Sequence, residues 1–275
     1  MRPTCSTSPS AEPVPSRRLA LFLALGALAG LVAGRAAAQV VDIPTRPGVT
    51  QRLLLVKPAQ ARAAVVLLAG GHGGLRLFDN GTMRWGENNF LVRTRTQFAD
   101  QGLAVAVLDV PSDRQRPPFL EGFRQTPEHA ADLKAAIAWL RSQWGVPVWL
   151  VGTSRGTQSA AFVATELAGP EGPDGIVLSS SILTDERSRA VPAMPLERIR
   201  VPVLVLHHEQ DGCRLCAFSL VPTLMDGLKA APRKQLLAFK GGISEGDPCH
   251  AMAHHGYNGI ETEVVRQAAA WMLAR

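Results

Sequence analysis

The chain has 275 residues, enough for one large α/β domain or two small ones, and 46% of them are hydrophobic, enough for a substantial core. It carries 29 basic and 23 acidic residues, a formal net charge of +6. Four of these basic residues and one acidic residue lie within residues 1–38, which leaves 25 basic and 22 acidic residues, a net charge of +3. That excess is small, and no basic stripe with interleaved aromatic residues is present. We therefore expect no nucleic-acid partner.

Residues 1–38 have the three parts of a secretory signal peptide. Paired arginines precede an apolar stretch at 19–32, and three alanines at 36–38 form an A-x-A cleavage site before Gln39. The apolar stretch is shorter than the roughly 20 residues that a membrane-spanning helix needs. We therefore expect an exported protein, periplasmic or secreted, that is not attached to a membrane after cleavage. The alternative is an uncleaved membrane anchor.

Strands and helices alternate after the signal segment. Residues 39–50 are expected to be an extended lead-in to one domain at 51–275. Apolar runs predict strands at 51–56, 63–68, 103–110, 146–151, 176–178, 201–206 and 235–239. Amphipathic spacing predicts helices at 89–101, 126–143, 158–167 and 261–274, with Thr126 as an N-cap. This alternation predicts an α/β fold, with a mostly parallel sheet and helices on both faces.

The most informative motif is Gly-Thr-Ser-Arg-Gly at 152–156, between a predicted strand and a predicted helix. A Gly-x-Ser-x-Gly sequence in this context forms a nucleophile elbow, a tight turn that lifts the serine hydroxyl clear of the sheet. Gly152 and Gly156 lack the β-carbons that would clash in such a turn. The motif therefore predicts Ser154 as a catalytic nucleophile.

A serine hydroxyl becomes a good nucleophile only when a base takes its proton and an acid orients that base. Asp211 follows the strand predicted at 201–206, and Gly212 lets the chain turn there. In a parallel sheet, loops that follow strands meet at one edge, so Asp211 should lie near the serine. We predict Asp211 as the acid, with Glu209 as the nearby competitor.

Three histidines compete for the role of base. They lie close together at the end of the chain, at 250, 254 and 255. His255 is preferred because the adjacent Gly256 suits a loop tip that must approach the serine. His254 is the second choice and His250 the third.

The developing oxyanion needs fixed N–H donors. One donor is expected to be the backbone N–H of Arg155, the residue after the nucleophile. The other is expected from the glycine-rich loop at 70–74, which follows the strand predicted at 63–68. Gly71 and His72 are both candidates, and the sequence leaves the choice open.

The order serine, acid, histidine is the order found in α/β-hydrolases. From about residue 50 to residue 275 the chain resembles this superfamily. Four segments, at 89–95, 111–114, 152–157 and 255–261, look like those of secreted or periplasmic bacterial serine hydrolases of undefined substrate.

This resemblance implies an α/β-hydrolase fold and acyl transfer through an acyl-enzyme on Ser154, without a cofactor. Hydrolysis of a small carboxylic ester is expected, and amide or peptide hydrolysis is the alternative. Only about twenty residues, 181–200, lie between two late strands. They are too few for a large helical cap, so we expect an open site.

Three cysteines follow the signal segment: Cys213, Cys216 and Cys249. Any two could pair in an oxidising compartment, and the sequence leaves the three pairings open. A Cys213–Cys249 disulfide would join the acid loop to the base loop and fix their spacing. Cys216 would then be free or buried.

The same region allows a second class of function, a periplasmic protein that binds a soft metal such as copper or zinc. A Cys-x-x-Cys motif at 213–216 and five histidines lie on two segments that should meet. This hypothesis leaves the motif at 152–156 unexplained and competes with a disulfide for the same sulfur atoms. A third hypothesis is a non-catalytic relative that only binds a ligand, which the apparently complete triad argues against.

Four arginines lie in or near loops at the same end of the predicted sheet: Arg93, Arg95, Arg114 and Arg124. An arginine there could bind a substrate carboxylate or phosphate. Pairing with nearby aspartates or backbone carbonyls is the commoner role.

Overall fold

The computed structural model describes residues 1, 4 and 38–274. Most of the predicted signal segment therefore lies outside the described residues. Within them, eight strands form one sheet. The strands are β1 (Ala38–Arg46), β2 (Val49–Val56), β3 (Ala63–Leu68), β4 (Leu103–Pro111), β5 (Val148–Thr153), β6 (Gly175–Ser179), β7 (Val203–His208) and β8 (Lys234–Phe239). No helix of the described part is both long enough and apolar enough to cross a membrane.

The strands lie in the order β1-β2-β4-β3-β5-β6-β7-β8. β2 runs antiparallel to its neighbours β1 and β4, and the pairings from β4 through to β8 are parallel. The carboxyl ends of parallel strands meet at one edge of a sheet, so the loops after β3, β5 and β7 meet there. The predicted mostly parallel α/β fold is confirmed.

Helices cover both faces of the sheet. They are α1 (Phe90–Arg93), α2 (Arg95–Asp100), α3 (Pro127–Trp144), α4 (Gly156–Glu166), α5 (Val221–Gly227) and α6 (Glu261–Leu273). α3, α4 and α5 contribute to the core on one face, and α1, α2 and α6 contribute to the core on the other. Every residue of β3, β5 and β7 is buried, which explains why these strands are continuous apolar runs.

The local signals around α3 act as the sequence predicts. Thr126 accepts a hydrogen bond from His129 N–H at 3.3 Å, and Pro127 occupies the first turn. Gly145 ends the helix with a φ of +62°, in the left-handed region that glycine tolerates best.

The single helix predicted at 89–101 is wrong, because the structure divides it into α1 and α2. The division falls at Thr94, whose hydroxyl and N–H both donate to Phe90 O, at 2.6 Å and 3.1 Å. The N–H bond is the regular helical one, and the hydroxyl competes with it for the same carbonyl, a contact that often bends a helix. Residues 39–50, expected as a lead-in, are extended but belong to the sheet, because β1 pairs along its length with β2.

The chain between β6 and β7 contains two single-turn 3-10 helices, Val191–Ala193 and Leu196–Arg198. The expectation that this segment is too short for a large cap is confirmed. The chain between β6 and β7 therefore leaves the edge of the sheet above β5 open.

Two glycines let the chain turn sharply from β5 into α4. A β-carbon on Gly156 would clash with Leu68 O at the end of β3, and one on Gly152 would clash with Gly156 O. Both obstacles are backbone atoms held in the sheet or the helix, so they cannot rotate away. This steric constraint explains the glycine spacing of the 152–156 motif.

The Gly156→Ala variant is expected to lose about 1–3 kcal/mol of unfolding free energy, because the added methyl overpacks fixed backbone. Gly227→Ala is the matched control, since its β-carbon would meet Leu196 Cδ1 at 2.8 Å, on a side chain that can move. Urea denaturation measures both. An equal loss in the two variants would contradict the steric explanation.

Candidate active site

Ser154 lies in the turn between β5 and α4, as predicted. Its φ is +52°, an uncommon conformation for a residue other than glycine. Its N–H donates to Ser179 O at 2.9 Å, and its carbonyl accepts bonds from Thr157 N–H at 2.9 Å and Thr157 Oγ1 at 2.6 Å. These bonds hold the strained turn and leave the Ser154 side chain at the edge of the sheet.

Asp211 lies in the loop after β7, and its side chain is fully buried. Its Oδ2 accepts a hydrogen bond from His255 Nδ1 at 2.8 Å, and its Oδ1 accepts one from Cys213 N–H at 2.9 Å. Glu209, the competitor, instead pairs with Lys240 at 3.2 Å. Of the two candidate acids, Asp211 is the one that contacts a candidate base.

His255 lies on a short 3-10 helix, His254–Gly256, and is 5% exposed. A carboxylate only accepts hydrogen bonds, so the contact with Asp211 assigns the proton of the neutral ring to Nδ1. Nε2 then carries the free lone pair. It is buried and has no hydrogen-bond partner among the described residues. A buried nitrogen without a partner is unusual and indicates a functional role.

The other two histidines of this segment lie elsewhere. His254 stacks on His208 with ring centroids 4.3 Å apart, and its Nδ1 lies 3.3 Å from Gln210 O. His250 is exposed at the rim of the cavity described next. Neither contacts Asp211 in the structure.

Ser154 and His255 line one cavity of about 900 Å³, which we call the Ser154 cavity. Trp85, Asn89 and Met252 also line it. No hydrogen bond joins Ser154 Oγ to His255 Nε2 among the described contacts. Such bonds are commonly long in a free enzyme and tighten when substrate binds.

The glycine-rich loop at 70–74 packs directly against the turn that carries Ser154. A β-carbon on Gly70 would lie 3.0 Å from Ser154 Cβ and 3.1 Å from Thr153 O. Gly71 and His72 line the Ser154 cavity. The N–H groups of Gly71, His72 and Arg155 donate to no other described residue. They are therefore free to donate to a ligand.

Arg124 supports this loop from behind. Its Nη2 donates to Ala69 O at 3.0 Å and to Gly71 O at 3.1 Å. The carbonyl and the following N–H of a trans peptide point in opposite directions, so His72 N–H points away from Arg124. The His72 ring stacks on Phe119 at 4.5 Å, and its Nδ1 accepts Gly74 N–H at 3.0 Å. Burial, and then the charge of Arg124, lower the pKa of His72, which favours this unprotonated Nδ1.

Comparison with known proteins adds a structural likeness. No protein-family model and no curated protein matches the sequence. An esterase from Pyrococcus furiosus superposes with a TM-score of 0.62 at 14% identity, over 86% of this chain and 91% of that one. A dienelactone hydrolase from Anabaena variabilis ATCC 29413 gives 0.60 at 17% identity, over 87% and 98%. An α/β serine hydrolase without a lid, from Xanthomonas campestris, gives 0.53 at 15% identity, over 86% and 95%.

The chain has the α/β-hydrolase fold. At identities this low the likeness establishes the fold alone. The structure also explains the positions of the candidate residues, because Ser154, Asp211 and the glycine-rich loop follow β5, β7 and β3 of this α/β-hydrolase sheet.

Arg93 holds the segment that carries His255. Its Nη2 donates to Gly256 O at 2.6 Å and pairs with Glu261 Oε1 at 2.9 Å, while Ser180 Oγ donates to His255 O at 2.8 Å. Arg93 therefore has the structural role, pairing with a carboxylate and a backbone carbonyl. Arg95 and Arg114 also contact the protein itself: Arg95 donates to Val92 O, and Arg114 stacks on Phe123.

Cys213 and Cys249 form a disulfide, and Cys216 is free and buried. The bond joins the loop of Asp211 to the loop of His255, as the sequence suggested.

The disulfide also bears on the soft-metal hypothesis. Ligand atoms of Cys213, Cys216 and His255 lie within 4.8 Å of one another, but a disulfide sulfur is not the thiolate that zinc or copper binds. His255 Nδ1 is also committed to Asp211.

Loss of the disulfide is expected to lower the unfolding free energy by about 3–4 kcal/mol, because the bond closes a loop of 36 residues in the unfolded chain. The measurement is urea denaturation of Cys213→Ala/Cys249→Ala, with and without a phosphine reductant. The control is Cys216→Ala, which keeps the disulfide and should remain sensitive to reductant. Equal stability of the double variant and the oxidised wild type would contradict this role.

Proposed function

We propose that this protein is a serine hydrolase that cleaves carboxylic esters through an acyl-enzyme on Ser154. The observation that carries the proposal is the buried 2.8 Å hydrogen bond from His255 Nδ1 to Asp211, with Nε2 unpartnered beside the Ser154 cavity. An imidazole that is oriented in this way can take a proton from a serine hydroxyl.

The chemistry begins when Ser154 Oγ attacks the ester carbonyl carbon and His255 Nε2 accepts the hydroxyl proton. The N–H of Arg155 and an N–H of Gly71 or His72 stabilise the negative charge that forms on the carbonyl oxygen. His255 then donates the proton to the departing alcohol, and the acyl group remains on Ser154.

Water completes the cycle. It attacks the acyl carbon while His255 Nε2 accepts its proton, and the same proton returns to Ser154 Oγ when the acid departs. Asp211 keeps the imidazole in the required tautomer and stabilises the positive charge that the ring acquires in both steps. No step requires a cofactor.

Ester cleavage is preferred over amide cleavage because structural neighbours include named esterases and a dienelactone hydrolase. Amide or peptide hydrolysis on the same residues is the alternative, with an amine in place of the alcohol. An open cavity of about 900 Å³ without a cap suits short-chain or bulky polar esters. The substrate we propose is therefore a small ester.

We also propose that the protein is exported, to the periplasm or the medium. The support is the signal-like sequence at 1–38 together with a Cys213–Cys249 disulfide, which persists in oxidising compartments.

Removal of any member of the triad should abolish most of the turnover of 4-nitrophenyl acetate and butyrate by the full chain. We expect Ser154→Ala and His255→Ala to lower kcat by about 10³-fold or more, and Asp211→Asn by a similar factor, because the asparagine stabilises the wrong imidazole tautomer.

The matched controls are His254→Ala and Glu209→Gln, which change the rejected candidates for base and acid. Both should retain kcat within about threefold, since neither contacts the Asp211–His255 pair. A wild-type rate that survives Ser154→Ala would refute the proposed mechanism. Loss of rate in His254→Ala but not in His255→Ala would move the base to His254.

A further inference from the structure

A second cavity of about 460 Å³ adjoins the glycine-rich loop. It shares Gly71 and His72 with the Ser154 cavity, but neither Ser154 nor His255 lines it. Its lining includes four arginines and one acidic residue: Arg124, Arg155, Arg187, Arg189 and Glu121. We call it the arginine cavity. The lining therefore carries an excess of positive charge, whereas the described chain as a whole is close to neutral.

Arg124 is buried in the wall of this cavity without a carboxylate partner among the described residues. Its hydrogen bonds go to three neutral oxygens: Ser159 Oγ at 3.0 Å, Ala69 O at 3.0 Å and Gly71 O at 3.1 Å. Burial, and then repulsion by Arg155, lower the pKa of Arg124 to about 9, so the side chain is still a cation at neutral pH. A buried cation without an anion is costly.

The other arginines of the cavity leave positive charge unbalanced. Arg155 Nη1 pairs with the buried carboxylate of Asp185 at 2.7 Å, which offsets one charge. Arg189 Nε donates to the neutral Gln125 Oε1 at 2.9 Å. The side chain of Arg187 is exposed and makes no ion pair with the described residues. A bound anionic ligand would balance this positive charge.

The position of His255 decides which part of an ester could supply that anion. His255 must protonate the departing alcohol, so the alcohol part of the ester has to lie in the Ser154 cavity beside His255. The acyl part leaves the carbonyl carbon in another direction. The arginine cavity begins at Gly71 and at Arg155, the residue after the nucleophile. The acyl chain can therefore extend towards it.

We propose that the arginine cavity binds a carboxylate at the far end of the substrate's acyl chain, so that the substrate is a monoester of a dicarboxylic acid. This inference rests on the proposed esterase function. Guanidinium groups bind carboxylates by paired, charge-assisted hydrogen bonds, and binding there relieves the uncompensated charge of Arg124.

The test measures kcat/KM of the full chain for two series of 4-nitrophenyl esters. The charged series is the monoesters of succinic, glutaric and adipic acid, and the neutral series of equal chain length is the butyrate, pentanoate and hexanoate. The rate in buffer alone is subtracted from each. We expect the charged ester to be favoured by about 10-fold or more at one chain length, the effect of one good charge-assisted contact. A ratio of one or less at every length would overturn the proposal while leaving the esterase function intact.

The variant Arg187→Gln/Arg189→Gln should bring this charged-to-neutral ratio down towards one, mainly through KM, because the contact binds substrate and transition state alike. The matched control is Arg198→Gln, an exposed arginine in a loose 3.7 Å pair with Glu166 and outside the arginine cavity. Its ratio should equal that of wild type. An equal fall in both variants would overturn the proposal.

A binding measurement keeps the inference testable if every ester proves inert. Glutarate at constant ionic strength should raise the Tm of Ser154→Ala, and should not raise it when Arg187→Gln/Arg189→Gln are added. No rise with glutarate would overturn the proposal. An equal rise with inorganic phosphate would also overturn it, because the site would then be a general anion site rather than one for carboxylates.

Discussion

The close approach of three backbone segments at the end of β5 is the constraint on which the site depends. Gly156 packs against Leu68 O of β3, and Gly152 packs against Gly156 O, so the turn has no room for side chains on either side of Ser154. The serine is thereby held at a φ of +52° and at the edge where the loops after β3 and β7 also meet. The same packing brings the glycine-rich loop within contact of Ser154 Cβ. Ser154 and the candidate oxyanion donors are thus positioned by one feature of the sheet.

The Asp211–His255 pair is held by a second set of restraints that is not local in sequence. The Cys213–Cys249 disulfide, the contacts of Arg93 and the hydroxyl of Ser180 each fix one part of the two loops. A histidine on an exposed loop would otherwise sample many positions, and each restraint reduces the entropy that a productive geometry costs. Arg124 restrains the glycine-rich loop through its hydrogen bonds to Ala69 O and Gly71 O. These contacts restrain the loops around Ser154, while the short chain between β6 and β7 leaves the edge of the sheet above β5 open.

The parts of this arrangement that depend on short-range patterns could be predicted from the sequence. The position of Ser154 follows from glycine spacing between a strand and a helix, and the parallel sheet follows from alternating elements. The residue proposed as acid follows a strand, so its place at the edge was predictable. His255 was preferred because Gly256 suits a loop tip, whereas Gly256 is buried in a 3-10 helix, where a β-carbon would clash with Ala251 O.

What the sequence could not show depends on contacts between distant residues. β1 is an edge strand with weak alternation and an internal proline, and only its pairing with β2 identifies it. The break at Thr94 is due to a side chain that competes with the helix backbone, an outcome that the apolar spacing of 89–101 does not reveal. The uncompensated charge of Arg124 is visible only once its three neutral partners are known. The soft-metal hypothesis remained open in the sequence because nothing there chooses among three cysteine pairings.

The central claim is that Asp211 and His255 make Ser154 the nucleophile of this chain. A fluorophosphonate probe tests it most directly, since it reacts covalently with an activated serine whatever the natural substrate is. The full chain would be incubated with the probe, digested and mapped by mass spectrometry, beside His255→Ala treated in the same way. The account predicts one adduct, on Ser154, in the wild type and almost none in His255→Ala. An adduct on another serine, or equal labelling of Ser154 in both proteins, would contradict it.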